Sequence, residues 1–295
     1  MMCGPPKASV IIPCYNSNST LRACLDSLSR QTYKNFEIIL IDSTPGDDAA
    51  GRIAGGCDLT HYHHLPMRLL PHAARNLGAA MASGEILAFT DPDMAIHPQW
   101  LEHLIAAHLS GKTVIGGRVD SLPGYWNRAV HITKYGWWVP GGPAAPRPQL
   151  PSGNFSLSRQ LFQAVGGFPA HHWSGDTELS YRLRDQGHQL WLLAEAVTVH
   201  LDRAPPGQFL RERFARGFDT AQSRKTSHSW SRGHCLARLL AAPLVPLVML
   251  VRCGRYLGES GRILEFLAAL PVVFAGLVAW AAGEAAAYAE GVWRR

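Results

Sequence analysis

The sequence predicts an α/β fold: a mixed, mostly parallel sheet flanked by helices, followed by a hydrophobic helical region. Three observations carry that expectation. Short apolar runs alternate with segments of helical spacing through roughly the first two thirds of the chain. Two of those runs end directly in an aspartate, at Asp42 and Asp91. The last ninety or so residues change character and contain long stretches without charge.

The elements follow in order. Ala8 to Pro13 reads as the first strand, and Pro13 should end its pairing because it has no N–H to donate. Cys14 to Ser19 is a polar loop, with Ser19 or Thr20 the expected N-cap of a helix bearing Leu21, Cys24, Leu25 and Leu28 on one face. Phe36 to Ile41 is a second apolar strand, closed by Asp42, and Pro45 to Asp48 is a loop. His61, His63 and His64 are expected on a polar surface loop, since nothing near them fixes a coordination geometry. Ala73 to Ser83 is helix-forming and stopped by Gly84. Ile86 to Thr90 is a buried strand. Pro98 opens a helix with Leu101, Leu104, Ile105 and His108 on one face, and Val114 to Val119 is a further strand.

Leu122 to Gln149 is rich in Pro, Gly and aromatic residues and reads as a long irregular segment, which in a compact domain is usually functional or mobile. Gly153 to Leu157 returns as a strand. Leu161 to Val165 is a short helix ended by Gly166-Gly167, and Asp176 to Gln186 is an amphipathic helix stopped by Gly187. Leu190 to Leu193 and Ala196 to Val199 read as separate strands, the second running into His200.

The C-terminal part is different. Gln208 to Arg224 is basic and helical. Leu239 to Val251 is 13 residues without charge, and Phe266 to Gly283 is 18. The second approaches the length of a membrane span and the first falls short. Pro243, Pro246 and Pro271 should kink both runs, which membrane helices tolerate better than soluble ones. Arg252, Arg255 and Arg262 lie between them. A hairpin that enters or lies in the membrane surface is expected, against a soluble helical pair packed on the rest of the protein.

Composition narrows the function. The 295 residues suffice for one large α/β domain or two modest ones, and 47% hydrophobic content against 17% charged argues against disorder. The net charge of +6 suits a polyanionic ligand or an anionic membrane surface. The basic residues are scattered and form no nucleic-acid motif, so no nucleic-acid partner is expected. Six cysteines (Cys3, Cys14, Cys24, Cys57, Cys235, Cys253) form no CxxC pair and read as free thiols in a reducing compartment. Lys7 is not followed by the long apolar run of a secretory signal, so the catalytic part is expected to face the cytoplasm.

The chemistry concentrates at Asp91-Pro92-Asp93. In an open parallel sheet, ligands sit beyond the carboxyl ends of the strands. Two acids there, joined by a stiff proline, could hold a hard divalent cation that bridges phosphate oxygens. Turn chemistry alone also accounts for Asp-Pro-Asp at a strand exit.

Several further stretches bear on that choice. Val10 to Asn16, Cys24 to Leu28, Gln31 to Ile38, Ala74-Arg75-Asn76-Leu77-Gly78, Asp91-Pro92-Asp93, Gly166-Gly167-Phe168 and Gly175 to Leu183 follow one another in order. In that order they resemble family 2 nucleotide-sugar glycosyltransferases, over roughly residues 8 to 200. The resemblance implies a GT-A fold, a Rossmann-like arrangement for nucleotide-diphospho-sugars. It also implies a divalent metal, Mn2+ or Mg2+, and sugar transfer with inversion.

What the resemblance implies can be set on this chain residue by residue. Asp93 would ligate the metal directly, and Asp91 would contact ribose or metal-bound water. His200 would add a further metal contact, or be an ordinary strand-terminal histidine. Asp176 would act as the base that takes the acceptor hydroxyl's proton, or would cap its helix. Pro13, Tyr15 and Asp42 would serve the nucleotide, Tyr15 by stacking and Asp42 by hydrogen bonding. Arg75 would contact the diphosphate, or be a solvated helix arginine. His171, His172 and Trp173 would line the acceptor site.

Three departures stand out. Ser43 replaces a second acid often found after the first strand-end aspartate, and Gly175 replaces a glutamate often found before the base. Gln208-Phe209-Leu210-Arg211 is followed by Glu212, not the tryptophan of processive synthases, which favours single transfer over polymerisation. The expected organisation is a catalytic domain over 1–205, with a nucleotide-sugar half over about 8–120 and an acceptor half over about 121–205. A membrane-associated helical region at 206–295 would follow, the acceptor being a glycan or a lipid-linked molecule at the cytoplasmic membrane face. The competing reading is a non-catalytic sugar-nucleotide-binding or scaffold protein on the same fold. A nucleotidyltransferase fits less well, because Cys14-Tyr15-Asn16-Ser17 is neither glycine-rich nor basic.

Overall fold

Strands whose side chains are apolar on both faces must be covered on both sides, and three such runs build the centre of the parallel half of the sheet. In the computed structural model, which describes residues 7–46, 49–57, 59–139, 142, 144–170, 175–201, 204–227 and 229–293, the chain opens as β1 (Ala8–Cys14), α1 (Asn18–Ser29), β2 (Phe36–Asp42), α2 (Ala49–Ala54), β3 (Thr60–His64), α3 (Pro71–Met81) and β4 (Ile86–Thr90). It continues through β5 (Met94–Ile96), α4 (Trp100–Leu109), β6 (Val114–Ser121), α5 (Tyr125–Tyr135), β7 (Ala144–Pro146), β8 (Asn154–Ser158), α6 (Arg159–Ala164), α7 (Gly175–Asp185) and β9 (Leu190–His200). Four helices close it: α8 (Pro206–Ser227), α9 (Arg232–Ala241), α10 (Val245–Glu259) and α11 (Ile263–Trp293).

The described residues form two compact units, those within 7–120, 142–170 and Gly175–Leu201 making the first, and those within 121–139 and 204–293 the second. The first holds the sheet, in the order β3-β2-β1-β4-β8-β6-β9-β5, with β7 on β9. The β3-β2-β1-β4 half is parallel, while β8 runs antiparallel to both β4 and β6. Every residue of β1 and β4 is buried. Helix α3 lies close on β1 because residue 78 is glycine: a Cβ there would fall 2.6 Å from Ile11 Cγ2.

Pro13 does not end β1. It pairs with Ile41, and the ladder runs on to Cys14 opposite Asp42. Pairing with β4 stops at Ile11 and Phe89, so on that side no partner strand asks Pro13 for an N–H. The first helix begins at Asn18 rather than after Ser19 or Thr20. Ser17 precedes it without a side-chain cap, because its hydroxyl donates to the Tyr15 carbonyl at 3.0 Å.

Three other expectations are corrected, and one short strand is added. Residues 122–149 contain α5, a turn of 3-10 helix at Gly136–Trp138, and β7. Ala129, Val130, Ile132 and Thr133 give α5 a buried face that the surrounding prolines and glycines mask in sequence. The two short strands before His200 are one strand, β9. The segment holding His61, His63 and His64 is an edge strand, β3, paired in parallel with β2. Met94–Ile96 forms β5, antiparallel to the end of β9.

The second unit is helical. Ala129, Ile132, Cys253, Leu257, Phe266 and Val273 share one core, where α5, α10 and α11 meet. Glycines let α8 and α11 touch backbone to backbone: a Cβ at Gly217 would overlap the Trp280 carbonyl, and one at Gly283 the Phe214 carbonyl. Glu284 is buried between them and accepts from Arg224 Nη1 at 2.8 Å and Trp280 Nε1 at 3.1 Å. Pro243 lies in a 3-10 turn between α9 and α10, Pro246 in the first turn of α10, and Pro271 inside α11.

Candidate active site

The carboxyl ends of β1, β2 and β3 lie side by side, as Cys14 pairs with Asp42 and Asp42 with His64. Asp42 is fully buried there. Its Oδ1 accepts from the Thr44 amide at 3.0 Å and hydroxyl at 2.6 Å, and its Oδ2 from the Tyr62 hydroxyl at 3.1 Å. Tyr15, partly exposed after β1, carries the Arg68 guanidinium 4.5 Å from its ring centre. Tyr62 stacks on His64, whose Nε2 donates to the Thr44 carbonyl at 2.9 Å. Ser43 is buried with its hydroxyl on the Cys14 carbonyl at 3.3 Å, so an acid at that position would be buried as well. Pro13 is buried inside β1.

The exit of β4 carries Asp91 and Asp93. Arg75, buried on α3, forms an ion pair with Asp91 through Nη2 and Oδ1. Its Nη1 lies 3.3 Å from His72 Nδ1. A guanidinium can only donate, so His72 is the tautomer with the proton on Nε2. His72 is itself buried and stacks on Phe168 with ring centres 4.9 Å apart.

Asp93 lies elsewhere in the same turn. Its Oδ2 is 3.4 Å from His200 Nε2, and both side chains are partly exposed. The β5–β9 pairing brings them together: Met94 is opposite His200, and the Leu201 amide donates to the Asp93 carbonyl at 2.8 Å. The two expected metal-binding acids therefore have different neighbours, Asp91 an arginine and Asp93 a histidine. Among the described residues no three His, Cys, Asp or Glu side chains gather closely enough to hold a metal ion. Asp93 and His200 do fit as a two-point site: one oxygen and one imidazole nitrogen suit a divalent cation whose other positions come from ligand oxygens and water.

Two thiols sit beneath these acids. Cys24 is buried and its Sγ–H points to the Asp91 carbonyl at 3.5 Å. Burial, and then the Asp93 and Asp91 charges, push its pKa well above the usual thiol range. Burial and the Asp42 carboxylate push Cys14 up to about 11. Both remain protonated and neutral at physiological pH.

Asp176 lies in the first turn of α7. Its Oδ1 accepts from the Thr177 amide at 2.8 Å and its Oδ2 from the Ser152 amide at 3.4 Å. The next residue of that turn, Gly153, abuts Asp91: a Cβ there would fall 2.5 Å from Asp91 Oδ2. Asp91 and Asp176 thus flank one dipeptide, Ser152-Gly153. A second chain of contacts joins them, since Asp91 meets Arg75, Arg75 meets His72, and His72 packs on Gly175 next to Asp176.

Two features beneath the site have no local sequence signal. His72 sits in an alanine-rich helix. Asn154 is buried, accepts from Trp100 Nε1 at 2.8 Å and donates to the Ala196 carbonyl at 2.9 Å, tying α4, β8 and β9 together. His171, His172 and Trp173 lie outside the described residues. His61 faces Glu37 at 3.5 Å, on the edge strand.

This sheet order, with acids at the strand ends, is that of a GT-A-like fold. Residues 9–180 match the model of Glycosyl transferase family 2, and the chain belongs to that family. It is a glycosyltransferase. Glycosyltransferase AglE of Haloferax volcanii is 30% identical over 223 residues, covering 72% of this chain and 72% of that protein. The pre-mycofactocin glycosyltransferase of Mycobacterium tuberculosis is 28% identical over 314 aligned residues, covering 97% of this chain and 65% of that protein. Among solved structures, the mannosyltransferase PcManGT of Pyrobaculum calidifontis, in complex with GDP-Man and Mn2+, superposes with a TM-score of 0.58. That match has 18% identity and covers 91% of this chain and 87% of the other, a likeness of fold.

Proposed function

We propose that this chain is an inverting, metal-dependent glycosyltransferase. It would move one sugar from a nucleotide-diphosphate donor to an acceptor hydroxyl at the cytoplasmic face of a membrane. The observation that carries the reading is the Ser152-Gly153 turn, which has Asp91 on one side and Asp176 on the other. Inversion in one displacement needs a base near the donor and no covalent nucleophile. Asp176 fits: it is a carboxylate in the first turn of α7, bonded to the Ser152 amide of the turn that abuts Asp91, where it would take the acceptor hydroxyl's proton.

Asp93 and His200 would hold the divalent metal, Mn2+ or Mg2+. Bound there, it would neutralise the diphosphate as charge develops on the leaving group. Arg75, buried and held by Asp91 and His72, would lend its positive charge to the diphosphate site from behind Asp91. Tyr15 and Arg68 offer a flat surface for the base. Asp42 acts from below, through Thr44 and Tyr62, because its own oxygens are buried. The known ligands of PcManGT, GDP-Man and Mn2+, support a nucleotide-sugar and metal pair of this class.

The two long apolar stretches, Arg232–Glu259 and Ile263–Trp293, support membrane association and so a glycan or lipid-linked acceptor. Glu212 after Gln208-Phe209-Leu210-Arg211 supports single transfer. The test is donor turnover by Asp93→Asn and Asp176→Asn. Loss in both is expected; full activity in both ends the assignment. Tight binding of a nucleotide sugar with Mn2+ by wild type, without transfer to any acceptor, would instead favour a sugar-nucleotide-binding scaffold.

A further inference from the structure

We infer that the α9–α10–α11 hairpin lies in the plane of an anionic membrane surface, half-immersed, and does not cross the bilayer. The inference rests on the membrane reading above and decides its geometry.

Length alone permits either arrangement. The uncharged exposed stripe of α11, from Leu264 to Ala282, is roughly 27 Å long at the helical rise per residue. The face opposite that stripe decides. A spanning helix must meet lipid or apolar protein all round. Along its C-terminal half α11 is fastened to α8, a helix dense in charge. Arg213 stacks on Trp280 at 4.5 Å, Arg224 binds Glu284 at 2.8 Å, and Lys225 Nζ donates to the Ala287 carbonyl at 2.6 Å. The glycine contacts at 217 and 283 press the two backbones together, so α8 would have to follow α11 into hydrocarbon. That would immerse the exposed Arg211 and Arg216 as well.

The outer face is built for a surface. Leu240, Leu244, Leu247 and Val251 recur at three- and four-residue spacing along α9 and α10, with Leu240 72% and Val251 74% exposed. On α11, Leu264, Leu267, Phe274 and Val278 form the matching stripe, with Leu264 77% exposed. Both stripes are free of charge. The chain around them is basic: residues 232–265 hold five arginines and two glutamates. Arg252 and Arg255 follow the last exposed valine directly and are exposed. An apolar face beside a cationic rim matches the acyl–headgroup boundary of an anionic leaflet better than it matches a second copy of the same basic face.

The experiment uses the full-length protein with phosphatidylcholine vesicles, with and without phosphatidylglycerol, read by sedimentation. The protein is expected to pellet with the anionic vesicles and to be released by alkaline carbonate. Leu244→Glu combined with Leu267→Glu should lower the bound fraction about tenfold. Arg252→Gln combined with Arg255→Gln should erase the preference for phosphatidylglycerol. Retention in the pellet after carbonate means the helices span, and overturns the inference. So does absence from vesicles together with concentration-dependent dimerisation, which assigns the face to a second copy. If the glutamate variant misfolds by circular dichroism, the wild-type carbonate and lipid dependence still decide. Sedimentation needs no donor or acceptor, so failure of the catalytic proposal leaves this result standing, and the reverse also holds.

Discussion

The His72 ring occupies the space that a side chain at residue 175 would need. A Cβ built on Gly175 falls 2.6 Å from His72 Cδ2 and 2.8 Å from the Pro169 carbonyl oxygen. Gly175, one of the departures seen in the sequence, is therefore matched by a buried histidine. The pair fixes the start of α7, where Asp176 lies, against the helix that carries Arg75.

Gly175→Glu is expected to lose activity and about 1–3 kcal/mol of stability, because an overfilled site must shift packed neighbours. His72→Ala in the same chain should recover part of the stability by opening the space. Thermal melts of the wild type, both single variants and the double variant check this; a double-variant loss equal to the sum of the two single losses would show that the positions are uncoupled.

Gly153→Ala should strike the donor side first. Its Cβ would sit 2.5 Å from Asp91 Oδ2, so the carboxylate must move away from Arg75. The expected result is a fall in kcat/KM of about tenfold or more, equivalent to 1.4 kcal/mol or more of lost transition-state binding. Steady-state kinetics with varied donor measure it, and an unaltered donor KM and kcat would refute it.

Replacing Arg75 by Met removes the partner of a partly buried carboxylate. Asp91 is 27% exposed, so water recovers part of the loss and about 1–3 kcal/mol of destabilisation is expected. Donor affinity should weaken beyond that. Urea melts and calorimetric titration with a nucleotide diphosphate separate the two effects.

His108 predicts a pH dependence of stability. Its Nδ1–H donates to the Lys112 carbonyl at 2.9 Å, so Nε2 accepts from the Ser156 hydroxyl at 3.0 Å and the ring is neutral. Burial pushes its pKa from 6.5 down to about 4. The unfolded chain then binds more protons than the folded one between those values. Stability from this group is complete above about pH 6.5 and is lost as pH falls through about 4, by an upper limit of about 3 kcal/mol. His108→Gln should flatten that window in melts taken across it, while the wild type slopes.

Asp176→Asn separates base from cap. The single amide oxygen can still accept the Thr177 N–H, while the NH2 group would meet the Ser152 N–H, so a small cost in stability is expected and donor binding should hold. The loss should fall on kcat, by about a hundredfold or more. A variant that instead melts early with near-normal kcat would make Asp176 a helix cap.

Much of the sheet could be read directly from the chain. β1, β2 and β4 are continuous apolar runs, and a buried strand announces itself by that composition alone. α5 could not be read, because Pro123, Gly124 and the following aromatics break the polar–apolar rhythm, and its buried face is explained by α11, far away in sequence. β3 was hidden by its edge position. Histidines at alternate positions look like a loop, and only pairing with β2 makes them a strand. The aspartates at 42, 91, 93 and 176 stood out by position and motif. Their partners did not.

The apolar runs of β1, β2 and β4, the acids that close or follow them and the apolar C-terminal stretches were determined by the sequence itself, because each depends on neighbours a few residues away. Tertiary structure decided which acid meets which partner. Arg75 claims Asp91, His200 comes to Asp93 across the β5–β9 pair, and the Ser152 amide reaches Asp176. Those contacts join residues 16, 107 and 24 positions apart. No local preference encodes them; the packing of the whole sheet does.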